Sequence, residues 1–183
     1  MKKKTRGYIT IVGLWIITIC IIEGVSINPR DATSAIPPKP PPYEYLSDII
    51  HTKQPKLDPI LVEEIAKSTY QQSQKFNLPP ELIIALMEKE SSLIPTSTSK
   101  ANCIGLLQIN PTAHPEKVES FEVYQLYYVD TNIKIGCQIL KEYYDNTQSI
   151  SEALKKYLGA DSKTYLTDIL TSFTDQIILK NNS

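Results

Sequence analysis

The sequence LPPELIIALMEKESS, residues 78 to 92, contains the feature on which the interpretation of the whole chain depends. Two prolines are suited to the first turn of a helix, and the apolar run after them predicts a helix from 81 to about 92. With about 100° of rotation per residue, Glu90 falls between the directions of Leu86 and Met87. This carboxylate is therefore directed into the domain or into a cleft.

Burial of Glu90 has a chemical consequence. Loss of hydration disfavours a charged carboxylate, so we expect the pKa of Glu90 to be raised toward neutral pH. A carboxyl group that is protonated at neutral pH can donate a proton to a leaving group, which is the task of a general acid. The alternative is a structural carboxylate that caps a helix or forms an internal ion pair, and the helix alone does not decide between the two.

Helical patterns recur along the last two thirds of the chain. Apolar residues return at helical spacing, and no stretch alternates long enough to require a sheet. A hairpin in the loop before Gly105 could be too short to produce a detectable alternation of apolar residues. The sequence therefore predicts an all-α domain, with helices over residues 60–76, 130–144, 150–158 and 163–179 in addition to the helix that carries Glu90.

The first 26 residues have the composition of an export signal. Four basic residues precede a mostly apolar run from 8 to 22, and Ser26 is a small residue suited to cleavage. The run is nearer in length to a signal-peptide core than to a membrane span, yet its flanks could extend it, so cleavage and retention as an inner-membrane anchor both stay open. In either case the basic residues direct the rest of the chain outward, to the periplasm or cell envelope.

A proline-rich segment follows this signal. Six of the thirteen prolines lie between Pro29 and Pro42, and such a run can only be extended, because proline lacks the backbone donor that a helix or sheet needs. We expect residues 27–59 to be a linker and residues 60–183 to be one compact domain.

Charge and metal-ligand chemistry exclude other classes of function. The formal net charge of −1 gives no basic surface for nucleic acid. His51 and His114 are isolated, so the sequence predicts neither a metal site nor a cofactor. In an exported protein, Cys103 and Cys137 are candidates for a disulfide, with two buried small side chains as the alternative.

The residues after Glu90 form a larger pattern. The pair Glu90-Ser91 is followed by Ser99 in a polar loop and then by Gly105-Leu106-Leu107-Gln108. These motifs and their spacings resemble those of the soluble, goose-type-lysozyme-like lytic transglycosylases, in which methionine takes the place of Leu107. The preceding helix also looks like the family's, and the resemblance covers about residues 62 to 160.

This resemblance implies a lysozyme-like, α-rich fold and an enzyme that cleaves the β-1,4 bond between MurNAc and GlcNAc in peptidoglycan. Glu90 would first donate a proton to the glycosidic oxygen, with assistance from the substrate's N-acetyl group. It would then act as a base toward the sugar's 6-hydroxyl, which closes a 1,6-anhydro ring. No second carboxylate is needed, which agrees with Glu88 lying about 200° around the helix from Glu90. The residues that the resemblance assigns to substrate binding are Ser91, Ser99, Gly105 and Gln108.

The family's last motif, Ala-Tyr-Asn-x-Gly, is only partly present. Tyr157 and Gly159 match it, but Leu158 stands where asparagine is expected and the spacing to the glycine is one residue shorter. The resemblance implies that Tyr157 hydrogen-bonds Glu90 and holds its orientation beside the substrate, whereas Leu158 cannot supply an amide. An ordinary core tyrosine is the alternative interpretation of Tyr157.

Three classes of function follow from these patterns. The first is a lytic transglycosylase that cuts glycan strands, either alone or as a local wall-opening enzyme for a secretion or conjugation assembly. The second is a lysozyme-type hydrolase on the same fold, which would leave ordinary reducing ends. The third is a non-catalytic wall-binding or scaffold protein, against which the intact Glu90-Ser91 pair argues.

Overall fold

The computed structural model describes residues 41–159 and 163–181. Over these ranges the predicted all-α fold is confirmed, since the described residues contain helices and isolated bridges but no strand of a sheet. The helices are α1 (Glu44–Lys53), α2 (Pro59–Phe76), α3 (Pro80–Ser91), α4 (Pro115–Val118), a 3₁₀ helix (Val123–Tyr127), α5 (Val129–Thr147), α6 (Ile150–Leu158) and α7 (Lys163–Asn181).

Local sequence explains where the two central helices begin and end. The side chain of Asp58 caps the start of α2 by accepting a hydrogen bond from the backbone N–H of Ile60 (2.9 Å). Asn77, with φ 51°, ends α2 in the left-handed conformation. Pro80 opens α3, and Ser92, with φ 54°, ends it in the same way. These signals are local in the chain, which is why both helices were predicted to within one residue.

The core is built around α3. Seven consecutive residues, Glu81 to Met87, are buried, so this helix is covered on all sides rather than on one face. Helix α7 packs against α3, while α5 packs against both α2 and α6. Even Glu81 is buried, and its carboxylate accepts hydrogen bonds from Lys180 Nζ (2.8 Å) and from the Tyr45 hydroxyl (3.1 Å).

The predicted boundary between linker and domain was wrong. Residues 27–59 were expected to be extended, but α1 lies within this range and packs on α2. Its side chains Leu46, Ile49 and Ile50 are buried, and the compact unit begins at Pro41. Prolines dominate the composition before residue 43, whereas these three apolar residues, which follow it, are at helical spacing.

The predicted signal or anchor, residues 1–26, lies outside the described residues. Within the described ranges, no helix combines the length and the apolar character that a bilayer span requires.

Two isolated antiparallel bridges order the loop between α3 and α4, in the region where the sequence left room for a small hairpin. Thr98 forms one isolated bridge with Ile104, and Ile104 forms another with Ile109. In the second bridge both backbone hydrogen bonds measure 2.9 Å. This loop therefore holds three of the predicted site residues in a defined conformation. They are Ser99, Gly105 and Gln108.

Candidate active site

Glu90 lies on the last turn of α3 and is half-buried. Desolvation raises the pKa of its carboxyl from 4.5 to about 7, against a smaller opposing effect of the Lys89 charge. Among the described residues, no side chain or backbone group is hydrogen-bonded to this carboxyl. About half of the molecules therefore carry a proton on Glu90 at neutral pH, and that proton is free to be donated.

The other acidic residues of α3 are neutralised by structural partners. Glu88 forms an ion pair with Lys53 of α1 (3.1 Å) and accepts a hydrogen bond from Ser172 of α7. Glu81 is paired with Lys180 in the contact described above. Both carboxylates thus connect α3 to neighbouring helices. Among the acidic residues of α3, only Glu90 has no such structural partner within the described residues.

A buried asparagine of α5, Asn132, fixes the loop that carries Gly105 to Gln108. Its Oδ1 accepts a hydrogen bond from Leu107 N (2.7 Å), and its Nδ2 donates to the carbonyls of Ile104 (2.8 Å) and Leu126 (2.7 Å). Gly105 has φ +79°, and a Cβ there would lie 2.2 Å from Asn132 Nδ2. Glycine is therefore required by the asparagine behind the loop. Asn132 was not among the site residues predicted from the sequence.

Three predicted substrate residues already take part in local hydrogen bonds. The Ser91 hydroxyl donates to a backbone carbonyl one turn earlier in α3 (3.0 Å). The Ser99 hydroxyl oxygen accepts hydrogen bonds from two backbone N–H groups of its own turn (3.3 and 3.1 Å). Gln108 donates through Nε2 to the carbonyls of Gly105 (3.0 Å) and Ser97 (3.4 Å). Its Oε1 is thus the atom left to accept a bond from a ligand.

Tyr157 is bound to the loop rather than to Glu90. Its hydroxyl donates to the carbonyl of Leu107 (2.8 Å). Burial raises its pKa well above the usual range, and the nearby charge of Glu90 adds to the effect, so the two groups lie within electrostatic reach. A Cβ on Gly136 of α5 would lie 2.4 Å from Leu107 Cδ1 and 3.0 Å from the Tyr157 hydroxyl oxygen. Leu158, where asparagine was expected, packs partly buried against the core.

Tyr165, at the start of α7, is a residue near Glu90 that the sequence analysis missed. Its hydroxyl donates to the Lys89 carbonyl (3.4 Å), and its ring centroid lies 4.4 Å from Lys89 Nζ. Burial raises the pKa of Tyr165, and the charges of Glu90 and Asp168 raise it further. Tyr165 stands four residues before the fully buried Ile169, and this helical spacing was the signal that could have placed it on the inner face of α7.

Cys103 and Cys137 are free thiols in this structure, so the disulfide considered from the sequence is not formed. Cys137 is buried, and burial raises the pKa of its thiol far above the usual range. Cys103 is half-buried. Both thiols lie close enough to the Tyr157 hydroxyl to influence its pKa.

The chain is similar in sequence to known transglycosylases. Residues 67–164 match the family described as "Transglycosylase SLT domain", and this range includes Glu90, Asn132 and Tyr157. A protein named "Transglycosylase" from Enterobacteria phage PRD1 is 31% identical over 91 residues, which are 50% of this chain and 33% of that relative. The chain thus spans about a third of the length of the curated relative it matches. Because the family match covers more than half of the sequence, the chain belongs to the transglycosylase SLT domain family.

Proposed function

We propose that this chain is a peptidoglycan lytic transglycosylase, which cleaves the β-1,4 bond between MurNAc and GlcNAc and leaves 1,6-anhydromuramoyl ends. Family membership supports an enzyme of this general kind. The observation that carries the proposal is Glu90, a half-buried carboxyl with a pKa of about 7 and without a hydrogen-bond partner among the described residues.

In the first step Glu90 donates its proton to the glycosidic oxygen while the bond from that oxygen to C1 of the muramoyl residue breaks. Positive charge develops on C1, and the carbonyl oxygen of the 2-acetamido group attacks this carbon. In the second step the Glu90 carboxylate takes the proton of the 6-hydroxyl, and O6 replaces the acetamido oxygen at C1. A pKa near 7 suits both steps, because the group must be a competent acid first and a competent base afterwards.

The described residues favour this single-carboxylate chemistry over hydrolysis with two carboxylates. Glycosidases of the second kind hold two carboxyl groups about 5 to 9.5 Å apart across the bond. Glu81 and Glu88 are used in ion pairs with other helices, and Asp168 is paired with Lys89. Within the described ranges, no carboxylate is among the groups that influence the pKa of Glu90.

The remaining site residues would position the substrate and the acid. The Oε1 of Gln108, which has no hydrogen bond among the described residues, would accept one from the acetamido N–H. The Ser99 hydroxyl, which accepts two backbone bonds, still has its own proton to donate to a sugar oxygen. Tyr165 and Tyr157 lie within electrostatic reach of Glu90, since its charge raises the pKa of both hydroxyls.

Mass spectrometry of the fragments released from purified peptidoglycan tests the reaction. The full chain is expected to give 1,6-anhydro products, and Glu90→Gln is expected to give none. Glu88→Gln is the matched control, since it removes a carboxylate two residues away that serves a structural ion pair. Products with ordinary reducing ends would replace this proposal with the lysozyme-type hydrolase. Products that persist in Glu90→Gln would assign the chemistry to another residue.

We also propose that the chain is exported and acts in the cell envelope, where it opens the wall locally for a larger assembly. The basic and apolar composition of residues 1–26 supports export, because peptidoglycan lies outside the cytoplasmic membrane. Cell fractionation with mass analysis of the mature N-terminus tests export, and recovery in the cytoplasm would contradict it. Crosslinking in the native host tests for an assembly, and failure to find an envelope-spanning partner would contradict that part.

A further inference from the structure

A cavity of about 290 Å³ adjoins the candidate active site. Gln108 and Tyr157 form part of its wall. The Tyr157 hydroxyl donates to the carbonyl of Leu107 in the site loop (2.8 Å) and lies within electrostatic reach of Glu90, so the cavity adjoins the loop of the candidate site. Further lining residues come from α5 and α6. This arrangement gives a substrate a second place to bind beside the bond that is broken.

The cavity combines an apolar floor with a cation. Ile109 and Ile139 are buried and belong to its wall, as does Lys156, an exposed residue of α6. Among the described residues, the Lys156 ammonium group has no ion pair and no hydrogen bond. The neighbouring Lys155 differs, because it is paired with Glu152 (2.8 Å). Lys156 is therefore available to bind a carboxylate.

Two acidic residues lie near the cavity but outside its wall. Glu116 and Glu142 raise the pKa of Tyr143, a further residue of the cavity wall, and so lie in its vicinity. Both carboxylates are ion-paired with Lys117. Lys117 offsets one of their two negative charges, and neither carboxylate belongs to the cavity wall, whereas Lys156 does. An anionic ligand in the cavity meets an attractive charge in Lys156.

We propose that this cavity holds the stem peptide of the muramoyl residue next to the scissile bond, and that Lys156 binds one of its carboxylates. This inference rests on the proposed function, because it is peptidoglycan that carries a short acidic peptide on a sugar next to the bond. The buried isoleucines and the lysine of the wall suit the apolar and carboxylate groups of such a peptide. The enzyme then prefers strands that carry peptides over strands from which an amidase has removed them.

Binding can be measured without turnover in the full-length Glu90→Gln protein. The probe is the GlcNAc-MurNAc-tetrapeptide with free carboxylates, compared with its methyl-esterified form. The readout is the rate at which iodoacetamide labels Cys103, which lines the cavity, followed by peptide mass spectrometry. Cys137 is buried and serves as the unreactive internal reference. The free acid is expected to protect Cys103 at concentrations about tenfold lower than the ester, as for the loss of one charge-assisted hydrogen bond.

Two lysine variants make this experiment specific. Lys156→Gln is expected to abolish the difference between the acid and the ester, whereas Lys155→Gln is expected to retain it. Equal protection by the acid and the ester in the Glu90→Gln protein would overturn the inference. An equal effect of the two lysine substitutions would also overturn it, because the charge would then act over a distance rather than at the cavity.

Activity provides an independent measurement. On the Glu90-containing chain, the ratio of kcat/KM on intact strands to kcat/KM on amidase-treated strands is expected to be about tenfold and to fall toward one in Lys156→Gln. A ratio near one in the unmodified chain would contradict the inference. If no strand yields anhydro products, the proposed function fails, and the protection of Cys103 still decides whether the cavity binds a peptide carboxylate.

Discussion

At Glu90, the burial that makes the carboxyl an acid also lowers the stability of the fold at high pH. Its pKa is about 7 in the folded chain and 4.5 in an unfolded one, so the folded state binds the proton more tightly. The stability contribution of this proton is therefore present below about pH 4.5 and is lost as the pH rises through 7. We expect Glu90→Gln, which cannot ionise, to be more stable than the unmodified chain at pH 9 by up to about 3 kcal/mol and to differ little at pH 4.

Urea unfolding at the two pH values measures this difference. Glu88→Gln is the control, because it removes an ion pair with Lys53 and should lower rather than raise the stability at pH 9. Equal stability of Glu90→Gln and the unmodified chain at pH 9 would show that burial does not shift the pKa of Glu90.

The same titration sets the pH dependence of the reaction. Since the proposed mechanism requires a protonated Glu90 when the substrate binds, kcat/KM is expected to fall above pH 7 with an apparent pKa of about 7. The charge of Lys89 lowers the pKa of Glu90, so Lys89→Met should move this basic limb to higher pH. Lys67→Met, at an exposed position of α2, is the control and should leave the limb in place. The measurement is the pH profile of kcat/KM for the unmodified chain and the two variants. A basic limb that does not move in Lys89→Met would contradict its assignment to Glu90.

At the scale of the elements, a single side chain joins α5 to the loop of the site. Asn132 uses both ends of its amide, so Asn132→Asp would place an oxygen against the carbonyls of Ile104 and Leu126. We expect this change to lower the free energy of unfolding by about 3 kcal/mol, because two buried carbonyls lose their donor. Asn146→Asp, at an exposed position of the same helix, should cost less than about 0.5 kcal/mol. Urea unfolding of both variants measures the contrast, and similar losses would mean that the amide of Asn132 is not critical to the loop.

Elements whose signals are local in the chain could be predicted from the sequence, and contacts between distant residues could not. The start of α3 at Pro80, its end at Ser92 and the inward direction of Glu90 follow from capping rules and helical periodicity. The hydrogen bond from Leu107 to Asn132 joins residues 25 positions apart. Tyr165 approaches Glu90 only because α7 folds back along α3. The spacing of residues within one helix or loop predicts neither of these two contacts.

At the scale of the whole molecule, α1 shows that the folded unit extends further toward the N-terminus than composition indicates. Leu46 and Ile50 are fully buried and Ile49 nearly so. Burying three side chains of this size contributes about 5 to 9 kcal/mol, which is comparable to the entire stability of a typical domain, about 5 to 15 kcal/mol. A protein that begins at residue 60 should therefore be largely unfolded, whereas one that begins at residue 41 should fold cooperatively.

Circular dichroism during thermal unfolding of the two truncated proteins measures this effect. Leu46→Ala in the longer protein is the single-residue counterpart, and it should lower the stability by about 2 to 5 kcal/mol, as for a buried leucine elsewhere. Ile60→Ala is the matched control, because Ile60 is 78% exposed and its truncation removes little buried surface. If the protein that begins at residue 60 unfolded at the same temperature as the longer one, α1 would be an appendage. Since Lys53 of α1 pairs with Glu88, two residues before Glu90, loss of α1 should reduce the proposed transglycosylase activity along with stability.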